Sequence, residues 1–505
     1  MSDTTPQAAP TRADWHARAA ALQLDGRLWI DGRRCDAADG RSFTKRSPGA
    51  DHPLPPIARG AEADIDRAVR SARAAFDDGR WRLQSPARRK AVLVEWSRRV
   101  LAAAEELALI ETIDMGKPIA RSLAADVPGT ARTLAWYGEA VDKIYDEVAP
   151  TAADALALIT REPLGVVGAI VPWNYPLLMS AWKLGPALAA GNSVVLKPSE
   201  RSPFSAMRLA ELALEAGLPP GVLNVVPGYG HEAGEALALH MDVDGIGFTG
   251  STRIGKRMFG YAGQSNLKRM FTELGGKSAV LVFPGSDVEG AAAAVAGTLF
   301  YNQGESCNAP SRVLVHRSLA DQFVQALVAQ TAHYQPGDPL DPQAGMGALV
   351  DAAHADSVLA FIDGARAAGA RCAVGGQRVA DAPSACYVAP TVFDQVEPGM
   401  GIATEEVFGP VASVLRFDTE AQALALANDS PYGLQAGVWS RDLSQAHRVA
   451  RGLRAGTVHV NQYNDDDITV PFGGMKQSGN GRDKSLHAFD KYTELKTTWL
   501  RIDPA

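Results

Sequence analysis

The sequence has few cysteines, and their arrangement excludes several classes of protein. Four cysteines occur among 505 residues, namely Cys35, Cys307, Cys372 and Cys386, and no two of them form a CxxC pair. This sparse usage indicates neither a disulfide framework nor a zinc site, so we expect no metal. Any special role for one of these thiols must come from its own surroundings.

Long apolar runs and long basic runs are also missing. No apolar stretch reaches the 18 residues that would span a bilayer, and the first twelve residues contain no apolar core like that of a signal peptide. The net charge is −7, and no run of Lys and Arg provides the basic stripe that a nucleic-acid backbone requires. We therefore expect a cytoplasmic protein with no membrane or nucleic-acid partner.

The chain length and the apolar pattern predict the fold class. A chain of 505 residues exceeds what one hydrophobic core usually organises, which favours two or more domains. Residues 60–145 repeat apolar positions at helical spacing. From residue 164, short apolar runs closed by Gly or Pro alternate with helical stretches, and a second alternation begins near 278. The sequence therefore predicts an α/β protein with two doubly wound parallel sheets and a domain boundary near residue 275.

Two segments fit neither predicted domain. ALALITREP at 155–163 and YTELKTTWL at 492–500 have the pattern of isolated strands. Unpaired strand edges invite pairing, with each other or with another subunit. Because neither segment has an obvious partner in its own domain, we expect them to pair across subunits in a homodimer or homotetramer.

The segment FYNQGESCNAPSR at 300–312 carries the most chemical information. It places Cys307 in a predicted loop-to-helix turn, where the helix dipole and free N–H groups would stabilise a thiolate. Burial as a small apolar side chain is the commonest fate of a free cysteine and remains the alternative for this residue alone. The polar neighbours Glu305, Ser306 and Asn308 argue against an apolar pocket.

Two further segments supply groups that would act on a carbonyl. In MFTELGGKSAVLVF, Glu273 precedes a Gly-Gly turn and a strand, where a carboxylate held in a cleft can act as a base toward water. A solvated surface carboxylate is the alternative. In IVPWNYPLL, Asn174 lies in a turn after a strand, and its amide could donate to a developing oxyanion.

Two strand ends have the features of a nucleotide site. Lys197 and Glu200 follow the strand NSVVL, at the sheet edge where doubly wound folds bind ligands, and they could bind ribose hydroxyls. GIGFTGSTRIGKRM indicates strand, turn and helix, with a phosphate cradle at Gly250 and Ser251. A single Gly-rich turn is weak evidence, and the spacing from Gly250 to Gly255 differs from the usual Rossmann fingerprint.

Together these segments resemble the aldehyde dehydrogenase superfamily, from about residue 27 to residue 500. The resemblance implies NAD(P)-dependent oxidation of an aldehyde to its acid through a cysteine thioester. It implies Cys307 as the nucleophile, Glu273 as the general base, and Asn174 with the Cys307 backbone N–H as the oxyanion hole. The domains it implies are an NAD(P)-binding domain (1–144 and 164–276), a catalytic domain (277–477) and a small β oligomerisation element (145–163 and 478–505).

The same resemblance implies roles for the remaining residues. NAD would be the cofactor, with NADP possible. Lys197 and Glu200 would bind the adenosine ribose. The other implied contacts are Trp173, Gly250 and Ser251 at the adenosine and diphosphate, Glu406 and Phe408 of EEVFGPV at the nicotinamide ribose and ring, and Met179 and Trp182 in the substrate tunnel. Glu305, two residues before the cysteine, stands where relatives vary, and the sequence gives no account of it.

The C-terminal stretch VPFGGMKQSGNGRDKSLHAFDKYTELKTTWL resembles the branch that oxidises ω-amino, guanidino and γ-glutamylamino aldehydes in polyamine breakdown. The resemblance places Asp465, Asp466 and Asp467 at the mouth of the substrate tunnel, where three carboxylates would attract a cationic aldehyde. A solvated acidic loop tip is the alternative reading of this run.

Four other functions compete with this interpretation. The enzyme could have broad specificity for aliphatic and aromatic aldehydes, or it could be a catalytically silent relative, since fold does not imply function. A CoA-acylating relative is disfavoured by a carboxylate base at position 273. A cysteine hydrolase would need a histidine near the thiol and would leave the nucleotide motifs unexplained.

Overall fold

The computed structural model describes residues 9–463 and 467–503. The strands of this part are β1 (Leu28–Ile30), β2 (Arg33–Cys35), β3 (Ser42–Phe43), β4 (Ile57–Ala58), β5 (Glu147–Ala149), β6 (Ala155–Pro163), β7 (Val166–Ile170), β8 (Ser193–Lys197), β9 (Leu223–Val225), β10 (Gly245–Thr249), β11 (Arg269–Glu273), β12 (Ala279–Val282), β13 (Arg312–His316), β14 (Arg371–Val374), β15 (Thr391–Asp394), β16 (Val411–Phe417), β17 (Gln435–Trp439), β18 (Thr457–Val460) and β19 (Thr493–Arg501).

Its α-helices are α1 (Arg12–Ala21), α2 (Glu62–Asp77), α3 (Pro86–Ala102), α4 (Ala104–Met115), α5 (Ile119–Arg121), α6 (Val127–Ala140), α7 (Pro176–Ala189), α8 (Phe204–Glu215), α9 (Glu235–Leu239), α10 (Thr252–Gln264), α11 (Val288–Leu299), α12 (Ala320–Gln330), α13 (Ala352–Ala367), α14 (Gly401–Thr404), α15 (Glu420–Asn428) and α16 (Leu443–Gly452). Short 3-10 or π-helical turns are Ser122–Asp126, Gly230–Gly234, Arg317–Leu319, Thr331–Tyr334, Lys476–Ser478 and Leu486–Lys491. Within the described residues, no helix is both long and apolar enough to cross a membrane.

The first large sheet has the strand order β11-β10-β7-β8-β9-β1-β2. Strands β7 to β11 run parallel, and the β1–β2 hairpin closes one edge antiparallel. All five positions of β8 are buried, as expected for a strand covered on both faces. Val194 and Leu196 pack into one core, whereas Val195 between them packs into the core on the opposite face.

The second large sheet has the order β14-β15-β16-β13-β12-β17-β18, and all its neighbouring strands are parallel except β14 with β15. Its apolar strands also alternate between two cores, with Leu281 in one and Val280 and Val282 in the other. The prediction of an α/β protein with two doubly wound sheets is therefore confirmed.

A third sheet, of order β19-β6-β5, joins the two segments that the sequence left without partners. β6 and β19 pair antiparallel over nine residues of the same chain, from Thr493 opposite Pro163 to Arg501 opposite Ala155. The expectation that these segments pair with each other only across subunits is wrong. The reason is local, because the Leu164 N–H and the Asn192 amide both donate to the carbonyl of Tyr492, which fixes the start of β19 beside the end of β6.

Candidate active site

A cavity of about 820 Å³ lies between the two large sheets. Residues that follow β7, β8 and β10 line one part of it, which we call the cofactor end. Residues of α6, α7 and the segment 468–472 line the other part, which we call the substrate end. The chain order of the first sheet reverses beside β7, between β7 and β10, and open α/β sheets bind ligands at such a reversal. The cavity therefore has the position expected of a ligand site.

Cys307 lies where the two ends of the cavity meet. Residues 300–311 form turns between α11 and β13, so the predicted helix after Cys307 is wrong. Pro310 lacks a backbone N–H, and the chain enters β13 two residues later, which leaves no length for a helix. Burial raises the pKa of the Cys307 thiol well above its ordinary value, and the carboxylates of Glu273 and Glu406 raise it further. This thiol must therefore lose its proton before it can act as a nucleophile.

Glu273 ends strand β11 and lines the same cavity. Its side chain is buried, and it interacts with the Cys307 thiol, which lowers the pKa of the carboxyl and raises that of the thiol. Burial raises the pKa of this carboxyl to about 8, although the nearby Lys183 ammonium lowers it. A carboxyl that titrates near the operating pH can accept a proton from a thiol or from water.

Asn174 lies four residues after β7 and is buried on the cavity wall. Its Nδ2 donates to the backbone carbonyl of Glu305 at 2.8 Å, and its own carbonyl accepts from the side chain of Asn302 at 2.9 Å. An amide nitrogen has two N–H groups, so one remains to donate to an oxygen bound near Cys307. The helix α7 begins directly afterwards, with Pro176 in its first turn.

The Gly275-Gly276 turn allows three parts of the site to approach closely. A Cβ on Gly275 would lie 2.2 Å from Oε2 of Glu406, and a Cβ on Gly276 would lie 2.5 Å from the backbone oxygen of Cys307. The Gly276 N–H donates to Oε1 of Glu406 at 2.8 Å. Burial raises the pKa of Glu406 to about 7, while the Gly276 N–H lowers it. Only glycine fits at both positions without moving Glu406 or Cys307.

At the cofactor end, Lys197 closes strand β8 and its ammonium lies 3.1 Å from Oε2 of Glu200. Burial lowers the pKa of Lys197, although Glu200 opposes the shift. Burial alone would raise the pKa of Glu200, but Lys197, a backbone hydrogen bond and Arg201 together lower it. About a third of the Glu200 side chain is exposed, 34%, so its carboxylate can still accept from hydroxyl groups.

The turn after β10 opens a helix toward the cavity. Gly250 and Ser251 both line the cavity, and Ser251 is the N-cap of α10, accepting from the Ile254 N–H at 3.4 Å. A Cβ on Gly250 would lie 2.7 Å from the ring of Phe248, which explains the glycine. The thirteen-residue helix α10 directs its positive end into the cavity, where a diphosphate is favoured.

Trp173 and Phe408 form an aromatic wall of the cavity together with His354. The ring centroids of Trp173 and Phe408 lie 5.3 Å apart, and so do those of Trp173 and His354. His354 Nε2 donates to the Phe408 carbonyl at 2.8 Å and holds a residue whose φ is 55°. The cofactor end thus combines three features. Glu200 and Glu406 supply hydroxyl acceptors, the turn at Gly250 and Ser251 supplies a phosphate cradle, and the aromatic wall supplies a flat apolar surface. The cofactor end therefore fits a nicotinamide dinucleotide.

At the substrate end, Met179 and Trp182 project from α7, and both are buried on the cavity wall. The Trp182 ring lies 5.2 Å from that of Phe472. Asp467 is exposed and accepts from the hydroxyl and N–H of Thr469, and it is not part of the cavity wall. Asp465 and Asp466 lie outside the described residues.

Sequence reasoning missed a buried ionic group beside Glu273. The ammonium groups of Lys183 and Lys491 both bind the carboxylate of Asp483, and all three side chains are buried. Lys183 and Asp483 are 300 residues apart, so no local pattern joins them. A signal did exist for Lys183, because it stands four residues after Met179 and therefore on the same face of α7.

Glu305 also acquires a role that its sequence position did not show. Its side chain is fully buried, and Oε1 accepts from the Val350 N–H at 2.9 Å. Its backbone carbonyl accepts from the side chains of Asn174 and Asn302. Burial raises the pKa of this carboxyl well above its ordinary value. Glu305 therefore fixes the loop that orients Asn174, without lining the cavity itself.

A thiol, a buried carboxyl of raised pKa and an amide donor thus meet beside a cleft suited to a dinucleotide. Such an arrangement is typical of oxidoreductases that bind a carbonyl through a cysteine and pass a hydride to a nucleotide cofactor. Among residues 9–463 and 467–503, no group of three His, Cys, Asp or Glu side chains is arranged to hold a metal ion.

Comparison with known proteins agrees with this class. The aldehyde dehydrogenase family matches residues 35–498. The chain is 56% identical to the NADP/NAD-dependent aldehyde dehydrogenase PuuC of Escherichia coli (strain K12), over 97% of this chain and 99% of that protein. The structure of P. syringae AldA indole-3-acetaldehyde dehydrogenase in complex with NAD+ and IAA is similar at a TM-score of 0.97 and 55% identity, covering 98% of this chain and 100% of that one.

A third similar protein is gamma-glutamyl-gamma-aminobutyraldehyde dehydrogenase from Burkholderia cenocepacia J2315, with a TM-score of 0.96 and 53% identity over 98% of this chain and 100% of that one. This chain belongs to the aldehyde dehydrogenase family and is an NAD(P)-dependent oxidoreductase. The resemblance inferred from the sequence, including the likeness to the aminoaldehyde branch, is confirmed.

Proposed function

We propose that the enzyme oxidises an ω-amino, guanidino or γ-glutamylamino aldehyde to its carboxylic acid, with NAD as cofactor and NADP as an alternative. The observation that carries the proposal is the meeting of Cys307, Glu273 and Asn174 at the junction of the two ends of the cavity. Similarity to PuuC, to an aminoacetaldehyde dehydrogenase of Pseudomonas aeruginosa at 46% identity and to the Burkholderia enzyme supports the substrate class.

In the proposed reaction, the Cys307 thiol loses its proton to water, and its sulfur attacks the aldehyde carbon. Asn174 and the Cys307 N–H donate to the oxygen, which becomes negatively charged. NAD, when bound, accepts the hydride that leaves this carbon, so that the aldehyde is oxidised to the thioester level. Glu273 in its ionised form then accepts a proton from a water molecule as that water attacks the thioester. The carbon–sulfur bond then breaks, and the acid and the Cys307 thiolate are released.

A panel of aldehydes of matched length tests the substrate class. Reduced cofactor is followed by absorbance at 340 nm with 4-aminobutyraldehyde, 4-guanidinobutyraldehyde, a γ-glutamylamino aldehyde and butanal. We expect higher kcat/KM for the nitrogen-bearing aldehydes than for butanal. The proposal fails if butanal and aromatic aldehydes are preferred.

Such a preference for neutral aldehydes would favour the second candidate, a broad-specificity enzyme. The aromatic wall of Trp182 and Phe472 and the similarity to an indole-3-acetaldehyde dehydrogenase point to that candidate.

We also propose that the acidic run at 465–467 makes the enzyme select cationic substrates. Asp467 is the member of this run that the structure describes. Its hydrogen bonds with Thr469 lower its pKa, and the nearby Lys484 and Arg132 lower it further. Replacing all three aspartates by Asn should raise KM for a cationic aldehyde and leave that for a neutral one nearly unchanged. Raising the salt concentration should shrink the difference, because screening acts over roughly 10 Å at 0.1 M. Equal changes for both aldehydes would refute this role.

The predicted domain boundaries and assembly also enter the proposal. The first sheet with its helices (1–144 and 164–276) would bind the cofactor, residues 277–477 would carry the nucleophile, and residues 145–163 with 478–505 would join subunits. In the third sheet, β19 is an edge strand, and Leu495 and Trp499 are exposed on it by 60% and 67%. An open apolar edge favours pairing with a second copy, in a homodimer or homotetramer. Light scattering that shows an active monomer would refute this assignment.

The four cysteines are free thiols in the structure. Free thiols are typical of a reducing compartment, and we propose a cytoplasmic location. Detection of the native protein in an extracellular or periplasmic fraction would contradict it.

A further inference from the structure

We propose that Arg132 binds a carboxylate at the far end of the aldehyde and so selects substrates that end in an amino-acid group, such as γ-glutamylamino aldehydes. This inference rests on the proposed function and narrows its substrate class. The inference adds the positive charge of Arg132 to the substrate end, whereas the acidic run at 465–467 was proposed to add negative charge.

Arg132 lies in the middle of α6 and lines the substrate end of the cavity together with Asp126, Gly129 and Thr133. These positions follow one another at helical spacing, so they share the face of α6 that borders the cavity. The Arg132 side chain is exposed, and its electrostatic partner among the described residues is Asp467, whose pKa it helps to lower. Its guanidinium borders the cavity and can bind an anionic group of the ligand.

The other charged groups of this region are already engaged. Asp126 lines the cavity too, but Lys117 binds its carboxylate at 2.7 Å. On the opposite wall, Lys484 is buried, and its ammonium lies 5.6 Å from the Trp182 ring and 5.9 Å from the Phe472 ring. Arg132 and Lys484 thus bring two cationic side chains to the wall, while Asp467 lies within their field outside it.

The positions of Asp126 and Arg132 along the helix show that Arg132 lies further from Cys307 than Asp126 does. Asp126 marks the Cys307 side, because its partner Lys117 lies 4.0 Å from the ring of Tyr175, whose hydroxyl contacts Ser306 at 2.7 Å. Arg132 is six residues further along, which is roughly 9 Å at the helical rise.

In a γ-glutamylaminobutyraldehyde, nine bonds separate the aldehyde carbon from the distal carboxylate carbon, which is roughly 10 Å when extended. A free 4-aminobutyraldehyde is too short and has no carboxylate. The amide-linked substrate therefore has both the carboxylate and the longer reach that contact with Arg132 requires.

The Arg132 guanidinium and a substrate carboxylate also match in their hydrogen-bonding groups. A guanidinium presents two parallel N–H groups that match the two oxygens of a carboxylate. Because Arg132 is exposed, solvent screens the pair, and a moderate effect is expected.

The test compares Arg132→Gln and Arg132→Lys with Arg98→Gln, a control that removes a mostly exposed arginine from α3, outside the cavity wall. The two substrates are γ-glutamylaminobutyraldehyde and 4-acetamidobutyraldehyde, which share the amide but differ in the carboxylate. We expect Arg132→Gln to lower kcat/KM for the first about 10-fold through KM, with kcat nearly unchanged and the second substrate affected less than twofold. Arg132→Lys should lose less, and Arg98→Gln nothing.

Equal losses for both substrates, or no loss for either, would overturn the assignment of Arg132. Thermal melting of each variant shows whether a general loss reflects unfolding. Failure of the proposed function gives a different result, because the unmodified enzyme would then oxidise butanal but neither amide-bearing aldehyde.

Discussion

Replacing Glu273 by Gln removes the proposed base while preserving the shape of its side chain. The carboxyl is buried, interacts with the Cys307 thiol, and has its pKa raised by burial to about 8. A positioned general base contributes roughly 10²–10⁴-fold to a rate. We therefore expect Glu273→Gln to lower the steady-state rate by about 10²–10³-fold, with deacylation slowed more than hydride transfer.

The raised pKa also predicts how activity and stability depend on pH. In the unmodified enzyme, the deacylation rate should rise through about pH 8 as Glu273 ionises, whereas the variant should show no such rise. For stability, the native state retains a proton that the unfolded chain releases above its ordinary pKa of 4.5. Ionisation of this group therefore lowers stability progressively from about pH 4.5 to about pH 8. Relative to the unmodified enzyme, the variant should gain up to roughly 5 kcal/mol across that window.

Stopped-flow absorbance at 340 nm separates the first turnover from the following ones, and thermal melts between pH 5 and pH 9 follow the stability. Glu397→Gln is a matched control, because Glu397 is exposed and lies outside the cavity wall. A variant with an unchanged steady-state rate and pH profile would refute the role of Glu273 as base. A melting temperature that falls relative to the unmodified enzyme as the pH rises would refute the reasoning about its pKa.

Three further changes test the surrounding groups. Asn174→Ala should lower kcat/KM by about 10²–10³-fold through loss of an oxyanion donor, and an unchanged value in steady-state assays would exclude that role. Gly275→Ala brings a Cβ to 2.2 Å from Oε2 of Glu406 and should weaken cofactor binding measured by fluorescence titration, whereas unaltered binding would show that Glu406 can move without consequence. Glu200→Gln should raise the ratio of NADP to NAD efficiency, because the carboxylate repels a 2′-phosphate, and a lower ratio would contradict the assignment to the ribose.

The sheets could be predicted from the sequence because their strands are short apolar runs closed by Gly or Pro. Residues that follow such strands, such as Asn174 and Ser251, were therefore placed at the correct edge of the first sheet. Local pattern also misled in one place. The turn at Cys307 looked like the start of a helix, but strand β13, which pairs with β12, begins only five residues later.

What the sequence could not show depends on contacts between distant segments. β6 and β19 are separated by most of the chain, so their pairing has no local signal in the sequence. The ionic group around Asp483 joins α7 to the C-terminal segment in the same way. Arg132 looks like an ordinary surface residue of an amphipathic helix, and only the cavity beside α6 distinguishes it.

The central claim is that the reaction passes through a thioester on Cys307, and intact-protein mass spectrometry tests it most directly. Glu273→Gln enzyme is mixed with NAD and the best aldehyde of the panel, quenched in acid within seconds, and digested to locate the adduct. The account predicts a mass increase equal to the acyl group on the peptide that contains Cys307, and none when Cys307→Ala is also present or when NAD is omitted. Rapid oxidation by the Cys307→Ala enzyme, or an acyl group on any other residue, would contradict it.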